Sequence, residues 1–310
     1  MMIIEPLDVV ALRLAEARSY FLAQHTQDFA ALLDNAGMTG EDYIKRLHRL
    51  RQAGLIRSLH LTIIVPRLLG GKWVWAAMLA KTQNPLENAK ILTSRLPFVT
   101  EILINSCLPQ DVGPNLGLLF YSRDFDNEIR FIQASSGLQD VEVFKIQGYS
   151  YPVALPLSRD EQGFLRFLAN NPQADIGAIV SAFGQNENWV RAKLDRLLWN
   201  EKNPSGVFRI QADIDWSVVN NFGHFHFLLE TGHRPEQIVK LLGDEGFQLI
   251  LAGRPVSGRF VGVEADVWGL SDLLRRVEFL EKINGIRVAG VIYHREVLIH
   301  SVWVLKIIGA

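Results

Sequence analysis

The chain has 310 residues, 32 Lys and Arg against 33 Asp and Glu, and is 48% apolar and 21% charged. That much apolar material excludes wholesale disorder, and the charge balance excludes a strongly basic coat while leaving room for a local basic patch. The single cysteine, Cys107, excludes an intramolecular disulfide framework and a cysteine-cluster metal site. No apolar run approaches the ~20 residues of a membrane span, and Glu5 and Asp8 within the first short apolar stretch argue against a signal peptide. A cytoplasmic, soluble chain of two or more domains is expected, with no membrane association.

Along the first half, a long helix is predicted through Leu7–Leu22, a short one over Asp28–Asn35 that stops at Gly37, and a third over Thr39–Gln52. A short helix, a glycine turn and a longer basic helix make the helix-turn-helix pattern, and Leu55–Val65 reads as the strand of a wing. Strand Trp73–Leu79, helix Pro85–Leu96, strands Val99–Ile104 and Asn115–Tyr121, helix Phe125–Ala134 and strand Val141–Gln147 follow. This βαββαβ order predicts a ferredoxin-like sandwich with both helices on one face of an antiparallel sheet. The second half repeats the series. Asp160–Ala169 is helical after the Ser158–Glu161 capping pair and ends at Asn170-Asn171-Pro172. A short helix carries Ile176, Ile179, Val180 and Phe183, and a third starts near Asn186. Wing strand Val207–Ile214 leads into Phe225–Glu230, Pro235–Leu242, Gln248–Ala252, Arg259–Ala265, Leu270–Lys282 and Val288–His294. A last strand-like run, Val297–Ile308, closes the chain.

Landmarks recur in the same order, which predicts an internal duplication of about 150 residues. Arg46-Leu47-His48-Arg49-Leu50 answers to Lys193-Leu194-Asp195-Arg196-Leu197, and Gly54-Leu55-Ile56-Arg57 to Gly206-Val207-Phe208-Arg209. Gly71-Lys72-Trp73-Val74-Trp75 falls on Gly223-His224-Phe225-His226-Phe227. Gly137-Leu138 falls on Gly285-Ile286. The fold class expected is α+β, a tandem repeat of winged helix-turn-helix plus ferredoxin-like domain, with boundaries at 1–62, 63–154, 155–215 and 216–310.

These segments resemble the Lrp/AsnC, or feast-famine, transcription regulators. Arg46 through Ile56 resembles that family's third helix running into its wing. Pro66-Arg67-Leu68-Leu69-Gly70 resembles its linker into the effector domain, Leu96-Pro97-Phe98-Val99 its turn before the second strand, and Leu157 through Pro172 its opening helix. The hairpin segments Ser106–Gly113 and Gly253–Gly258 depart from the family's Gly-x-Tyr-Asp type turn, which puts amino-acid sensing in the family manner in doubt. The resemblance implies a DNA-binding regulator that senses a small-molecule effector, an amino acid or other metabolite, and forms homo-oligomers through its effector domains.

On that reading, double-stranded DNA is met first by the helix from Thr39. Groove reading needs side chains at the N-terminal end of the helix for base edges and cations beside them for phosphates. Thr39, Glu41, Asp42 and Lys45 would read bases, and Arg46, Arg49 and Arg51 would hold phosphates; the bland alternative is a solvated basic face. The second head offers Asn186, Asn188, Arg191, Lys193 and Arg196, diluted by Glu187, Asp195 and Glu201, and reads equally as a degenerate head kept for packing.

Five of the eight histidines fall late in the chain: His224, His226, His233, His294 and His300. His224 and His226 share one face of a strand, while Phe225 and Phe227, matched to Trp73 and Trp75, are expected against the helices. With Arg254, Arg259 and His294, the two histidines are the effector-site candidates, and a pocket or paired-sheet interface is preferred to a metal site. No phosphate-cradling glycine loop, Gly-x-Ser-x-Gly elbow or His-Glu-x-x-His helix occurs, so no catalytic residue, metal or cofactor is expected and the chain is read as a non-enzyme. Two alternatives stand beside the regulator. One is an interaction module with inactive heads. The other is an enzyme resembling siroheme decarboxylases, which share this Lrp-like architecture, work as two related subunits and bind an anionic tetrapyrrole with His and Arg.

Overall fold

The computed structural model describes residues 1–25, 28–108, 113–200, 203–243, 245–249 and 261–309. In chain order its first half holds α1 (Pro6–Arg18), α2 (Phe29–Asn35), α3 (Gly40–Gln52), β1 (Ile56–Ile63), α4 (Val65–Leu69), β2 (Gly71–Lys81), α5 (Pro85–Thr93), β3 (Val99–Leu108), β4 (Leu116–Ser122), α6 (Phe125–Ala134) and β5 (Gln139–Tyr151). The second half holds α7 (Arg159–Asn170), α8 (Ile176–Phe183), α9 (Glu187–Leu197), β6 (Phe208–Asp215), β7 (Gly223–Thr231), α10 (Pro235–Leu242), β8 (Gln248–Leu249), β9 (Val261–Val267), α11 (Gly269–Lys282), β10 (Ile286–Ile299) and α12 (Val304–Ile307). The chain divides into two compact units, one of Met1–Ile3, Trp73–Tyr149 and Trp216–Leu298, the other of Ile4–Lys72, Ser150–Asp215 and Ile299–Ala310.

The second of these units contains both heads. Local chemistry starts each helix. The Thr39 hydroxyl accepts from the Asp42 amide, and the Asp42 carboxylate accepts from the Thr39 amide in return. Ser158 and Glu161 do the same for α7, and Asn186 caps α9. Each cap satisfies donors that have no partner inside the helix. Gly37 and Gly184, at φ +65° and +61°, make the left-handed turns that stop α2 and α8. Tyr43, Leu47 and Leu50 of α3 are fully buried, and the Tyr43 hydroxyl donates to the Tyr20 carbonyl at 2.9 Å. In the other head Phe164 and Phe183 enclose Trp189. The two wing strands pair with each other: β1 runs antiparallel to β6, with Leu59 opposite Ala212, Leu61 opposite Ile210 and Ile63 opposite Phe208.

The strand expected over 297–308 is corrected. β10 ends at Ile299 and the one-turn helix α12 follows. Trp303, Val304 and Ile308 are all buried; adjacent residues cannot both face one side of a strand, whereas Val304 and Ile308 stand one helical turn apart.

The other unit carries the sheet β5-β2-β4-β3-β10-β7-β9-β8. Each half has the strand order of a ferredoxin-like sandwich, and β3 of the first joins β10 of the second edge to edge. In the first half Ala76, Met78, Ala80, Leu118 and Phe120 pack with Leu92 of α5 and Ile132 of α6. In the second, Phe227, Leu229, Val263 and Ala265 pack with Ile238 of α10 and Leu280 of α11. Both helices of each sandwich therefore cover one face.

One detail breaks the expected correspondence of the halves. Val74, Ala76 and Met78 face the helices in β2, so alternation sends Trp73 and Trp75 to the other face, whereas Phe225 and Phe227 in β7 do face helices. Matching Trp73 and Trp75 to Phe225 and Phe227 is out by one residue, and a one-residue slip exchanges the faces of a strand.

Candidate functional site

The sheet face turned away from α10 and α11 carries a polar row. His224 and His226 project from β7 beside Leu228, because their odd-numbered neighbours enter the core. Directly across the ladder, Asp266 pairs with His224 and Glu264 with His226. His294 comes from β10, and Asn105 from the adjoining strand β3. Cys107, Leu228 and Ile292 form a small apolar cluster on the same face.

The ring nitrogens of these histidines have definite partners. His294 Nδ1 donates to Asn105 Oδ1 at 2.7 Å, which leaves its Nε2 a lone pair. That lone pair lies 2.9 Å from His226 Nε2 and 3.2 Å from His226 Nδ1. His226 Nε2 also lies 3.3 Å from Glu264 Oε2. His224 Nδ1 is 3.0 Å from Asp266 Oδ1, and its Nε2 is 3.5 Å from Glu264 Oε2. Burial pushes the His294 imidazole well below the usual histidine range, with His226 and His224 adding to the shift. Burial also lowers His226. Glu264 is pulled in two directions: burial raises it, but hydrogen bonds from His224 and His226 prevail and hold it well below the usual carboxylate range. Burial thus favours the neutral form of His226 and His294, beside the carboxylates of Glu264 and Asp266. One atom each of His224, His226 and Glu264 lie within 4.8 Å of one another, a spacing that can hold a metal ion. The Asn105 side-chain nitrogen is buried with no hydrogen-bond partner.

His224, His226 and His294 are thus brought together as the i, i+2 spacing and the neighbouring strand suggested. Arg254 and Arg259, and the second hairpin segment Gly253–Gly258, lie outside the described residues, as do 109–112 of the first. Glu264, Asp266 and Asn105 were not among the sequence candidates. The acids carried a signal, since Glu264 and Asp266 repeat the i, i+2 polar spacing of His224 and His226 two strands later. Asn105 carried none, because its place depends on which strands meet at the junction of the sandwiches. In the first sandwich the same sheet face bears Trp75 stacked on Tyr121 at 6.5 Å, with Tyr149 at 6.1 Å from Tyr121.

The residues assigned to DNA are placed differently. Thr39 and Asp42 are occupied with each other at the start of α3. Lys45 pairs with Glu41 at 2.6 Å on the exposed surface. Arg46 reaches Asp8 at 2.8 Å and Glu5 at 3.0 Å, and Arg49 pairs with the same two carboxylates. The hydrogen bond from Arg46 and the charge of Arg49 lower the Glu5 carboxyl. Arg51 donates to Gln173 Oε1 at 3.0 Å. On the second head Arg196 and Lys193 converge on Glu161, at 2.7 and 3.7 Å, and Arg191 pairs with Glu187 at 3.4 Å. Asn186 is the α9 cap, and Asn188 is exposed. Apart from Arg51, the candidate lysines and arginines of both helices pair with carboxylates of their own heads.

The fold is α+β, with helical heads and two ferredoxin-like sandwiches. No family model matches the chain, and no curated protein matches it. Among solved structures, that of the siroheme decarboxylase NirDL aligns over 94% of this chain and 91% of its own, at 14% identity and a TM-score of 0.46. NirDL in complex with an iron-uroporphyrin III analogue aligns over 94% and 92%, at 13% identity and a TM-score of 0.44. An AsnC family transcriptional regulator from Agrobacterium tumefaciens aligns over 50% of this chain and 97% of its own, at 18% identity and a TM-score of 0.29. The expectation of a non-enzyme is corrected by the first two, since the structures aligned over almost the whole chain are of an enzyme. Among the described residues no helix is long and apolar enough to cross a membrane.

Proposed function

We propose that the chain is an enzyme of the siroheme-decarboxylase kind, acting on the carboxylate side chains of a tetrapyrrole. In this reading it is two diverged copies of one Lrp-like unit, with heads at 1–62 and 155–215 and sandwiches at 63–154 and 216–310. The observation that carries the reading is the row His224, His226 and His294 on the side of the second sandwich turned away from α10 and α11. Loss of carbon dioxide from a carboxylate side chain breaks a carbon–carbon bond, leaves the electron pair on carbon and requires a proton there. No oxidant enters. A row of hydrogen-bonded imidazoles beside carboxylates can relay a proton to that carbon. The aromatic row Trp75, Tyr121 and Tyr149 supports the reading, since the same sheet face can then stack a flat macrocycle.

The DNA-binding reading has less to support it. Groove binding draws its affinity from cations that exchange counterions for phosphates, and Lys45, Arg46, Arg49, Arg191, Lys193 and Arg196 all have carboxylate partners at hand. The heads are read as packing modules. The test is anaerobic incubation of the full chain with siroheme, followed by absorption spectroscopy and mass spectrometry of the tetrapyrrole. A shifted Soret band and products lighter by whole units of carbon dioxide are expected. An unshifted band with unchanged tetrapyrrole overturns the reading.

A further inference from the structure

The polar row contains more than a decarboxylase of this kind asks for. Two carboxylates, Glu264 and Asp266, stand beside the histidines. They suit a cation. We propose that His224, His226 and Glu264 bind one late first-row divalent metal ion, such as Zn2+, through the two imidazole Nε2 atoms and a carboxylate oxygen, with a fourth position open.

Both spacings to the carboxylate and both outer partners fit. An ion about 2.0–2.1 Å from each of four tetrahedral ligands sets those ligands about 3.3 Å apart. Glu264 Oε2 lies 3.3 Å from His226 Nε2 and 3.5 Å from His224 Nε2. A ligating histidine nearly always donates its other ring N–H to an acceptor, which fixes the tautomer and the ring orientation. Both histidines have that acceptor. His224 Nδ1 meets Asp266 Oδ1 at 3.0 Å. His226 Nδ1 stands 3.2 Å from His294 Nε2, the lone pair fixed by donation from His294 Nδ1 to Asn105. Moving the His226 proton from Nε2 to Nδ1 keeps a hydrogen bond to His294 and frees Nε2 for the ion. Two histidines and one carboxylate form the donor set of open catalytic zinc sites and of ferrous facial triads. The ion would also offset the charge of Glu264 and Asp266 where a carboxylate substrate must approach. The inference goes beyond the decarboxylase reading and does not depend on it.

The test uses the untagged full chain, stripped with a chelator and titrated with Co2+ followed by its visible d–d bands, with Zn2+ in competition. One Co2+ per chain with tetrahedral or five-coordinate absorption, displaced by Zn2+, is expected. His224→Ala, His226→Ala and Glu264→Gln should each abolish the bands, and Asp266→Asn and His294→Gln should weaken binding about 10- to 100-fold with the bands retained. Circular dichroism confirms that each variant is folded. Equal binding by wild type and by the folded His224→Ala/His226→Ala variant overturns the site, as does no d–d absorption in the wild type. Because the readout needs no tetrapyrrole, metal binding without tetrapyrrole turnover refutes only the decarboxylase reading. Turnover in chelator-treated protein that binds no Co2+ refutes only the metal site.

Discussion

His226 Nε2 lies 2.9 Å from His294 Nε2 and 3.3 Å from Glu264 Oε2, so one ring nitrogen faces a neutral lone pair and a carboxylate together. A proton on that nitrogen has acceptors on both sides and can pass along the row without leaving it. If the row supplies the proton for decarboxylation, His226→Gln should lower turnover about 100-fold or more, the usual size of a positioned acid–base contribution. Tetrapyrrole affinity, read from the Soret shift, should change far less. Equal losses in both would assign His226 to substrate binding.

Asp8 is fully buried, yet it serves two arginines and the first turn of its own helix: Arg46 and Arg49 pair with its carboxylate, which also accepts from the Glu5 amide at 2.8 Å. Asp8→Asn should therefore destabilise the heads by about 2–3 kcal/mol, the cost of weakening charged hydrogen bonds between a buried acid and partly exposed arginines. It also releases two cations on the surface of α3. Duplex DNA affinity at low salt should rise in the variant and fall steeply with added salt. Wild-type protein that already binds DNA with the steeper salt slope would show that these arginines leave Asp8 for phosphate.

The pairing of β1 with β6 carries a titratable network in the heads. Asp213 accepts from His60 Nε2 at 3.0 Å, from the Ile299 amide at 2.6 Å and from the Ser58 hydroxyl. Burial raises its carboxyl, but these bonds together hold it below the ordinary value of 3.8. A depressed carboxylate contributes stability that is fully present above 3.8 and is lost as pH falls through the folded value, because only the unfolded chain takes up the proton in between. Asp213→Asn should lower the urea midpoint at pH 7, and the gap to wild type should narrow as pH drops below 4. A gap that stays constant to pH 3 would show that Asp213 contributes through shape and not charge.

Much of the architecture was legible because it rests on local chemistry. Ser158 with Glu161 marks a helix start, Gly37 and Gly184 mark stops, and α6 and α10 span the residues their apolar spacing indicated. What failed depends on partners that periodicity does not name. The slip between Trp75 and Phe227 keeps residue types alike while exchanging faces, and only the sheet reveals it. The cations of α3 were legible as basic, but their neutralisation comes from Glu5 and Asp8, some forty residues back along the chain. The histidines were legible as a pair on one strand face, and Glu264 was overlooked because pairing across β7 and β9 was not used to extend the row.

Two glycines at matching places in the two heads answer to different constraints, and substitution separates them. Gly54, after α3, has φ +82° and open space around a would-be Cβ, so its constraint is backbone conformation alone. Gly206 lacks a positive φ, but a Cβ there would lie 2.4 Å from the Trp199 amide nitrogen and 2.5 Å from the Leu198 carbonyl carbon. Backbone cannot yield as a side-chain tip can. Gly54→Ala should cost about 1–2 kcal/mol, the penalty of a left-handed residue with a Cβ, and Gly54→Asn should recover part of it, because asparagine tolerates that region. Gly206→Ala should cost about 3 kcal/mol, at the upper end of overpacking penalties, and Gly206→Asn should be no better, since every Cβ meets the same atoms. Urea midpoints of the four variants decide the matter. Recovery by asparagine at position 206 would mean that conformation, and not the approach of Trp199, selects glycine there.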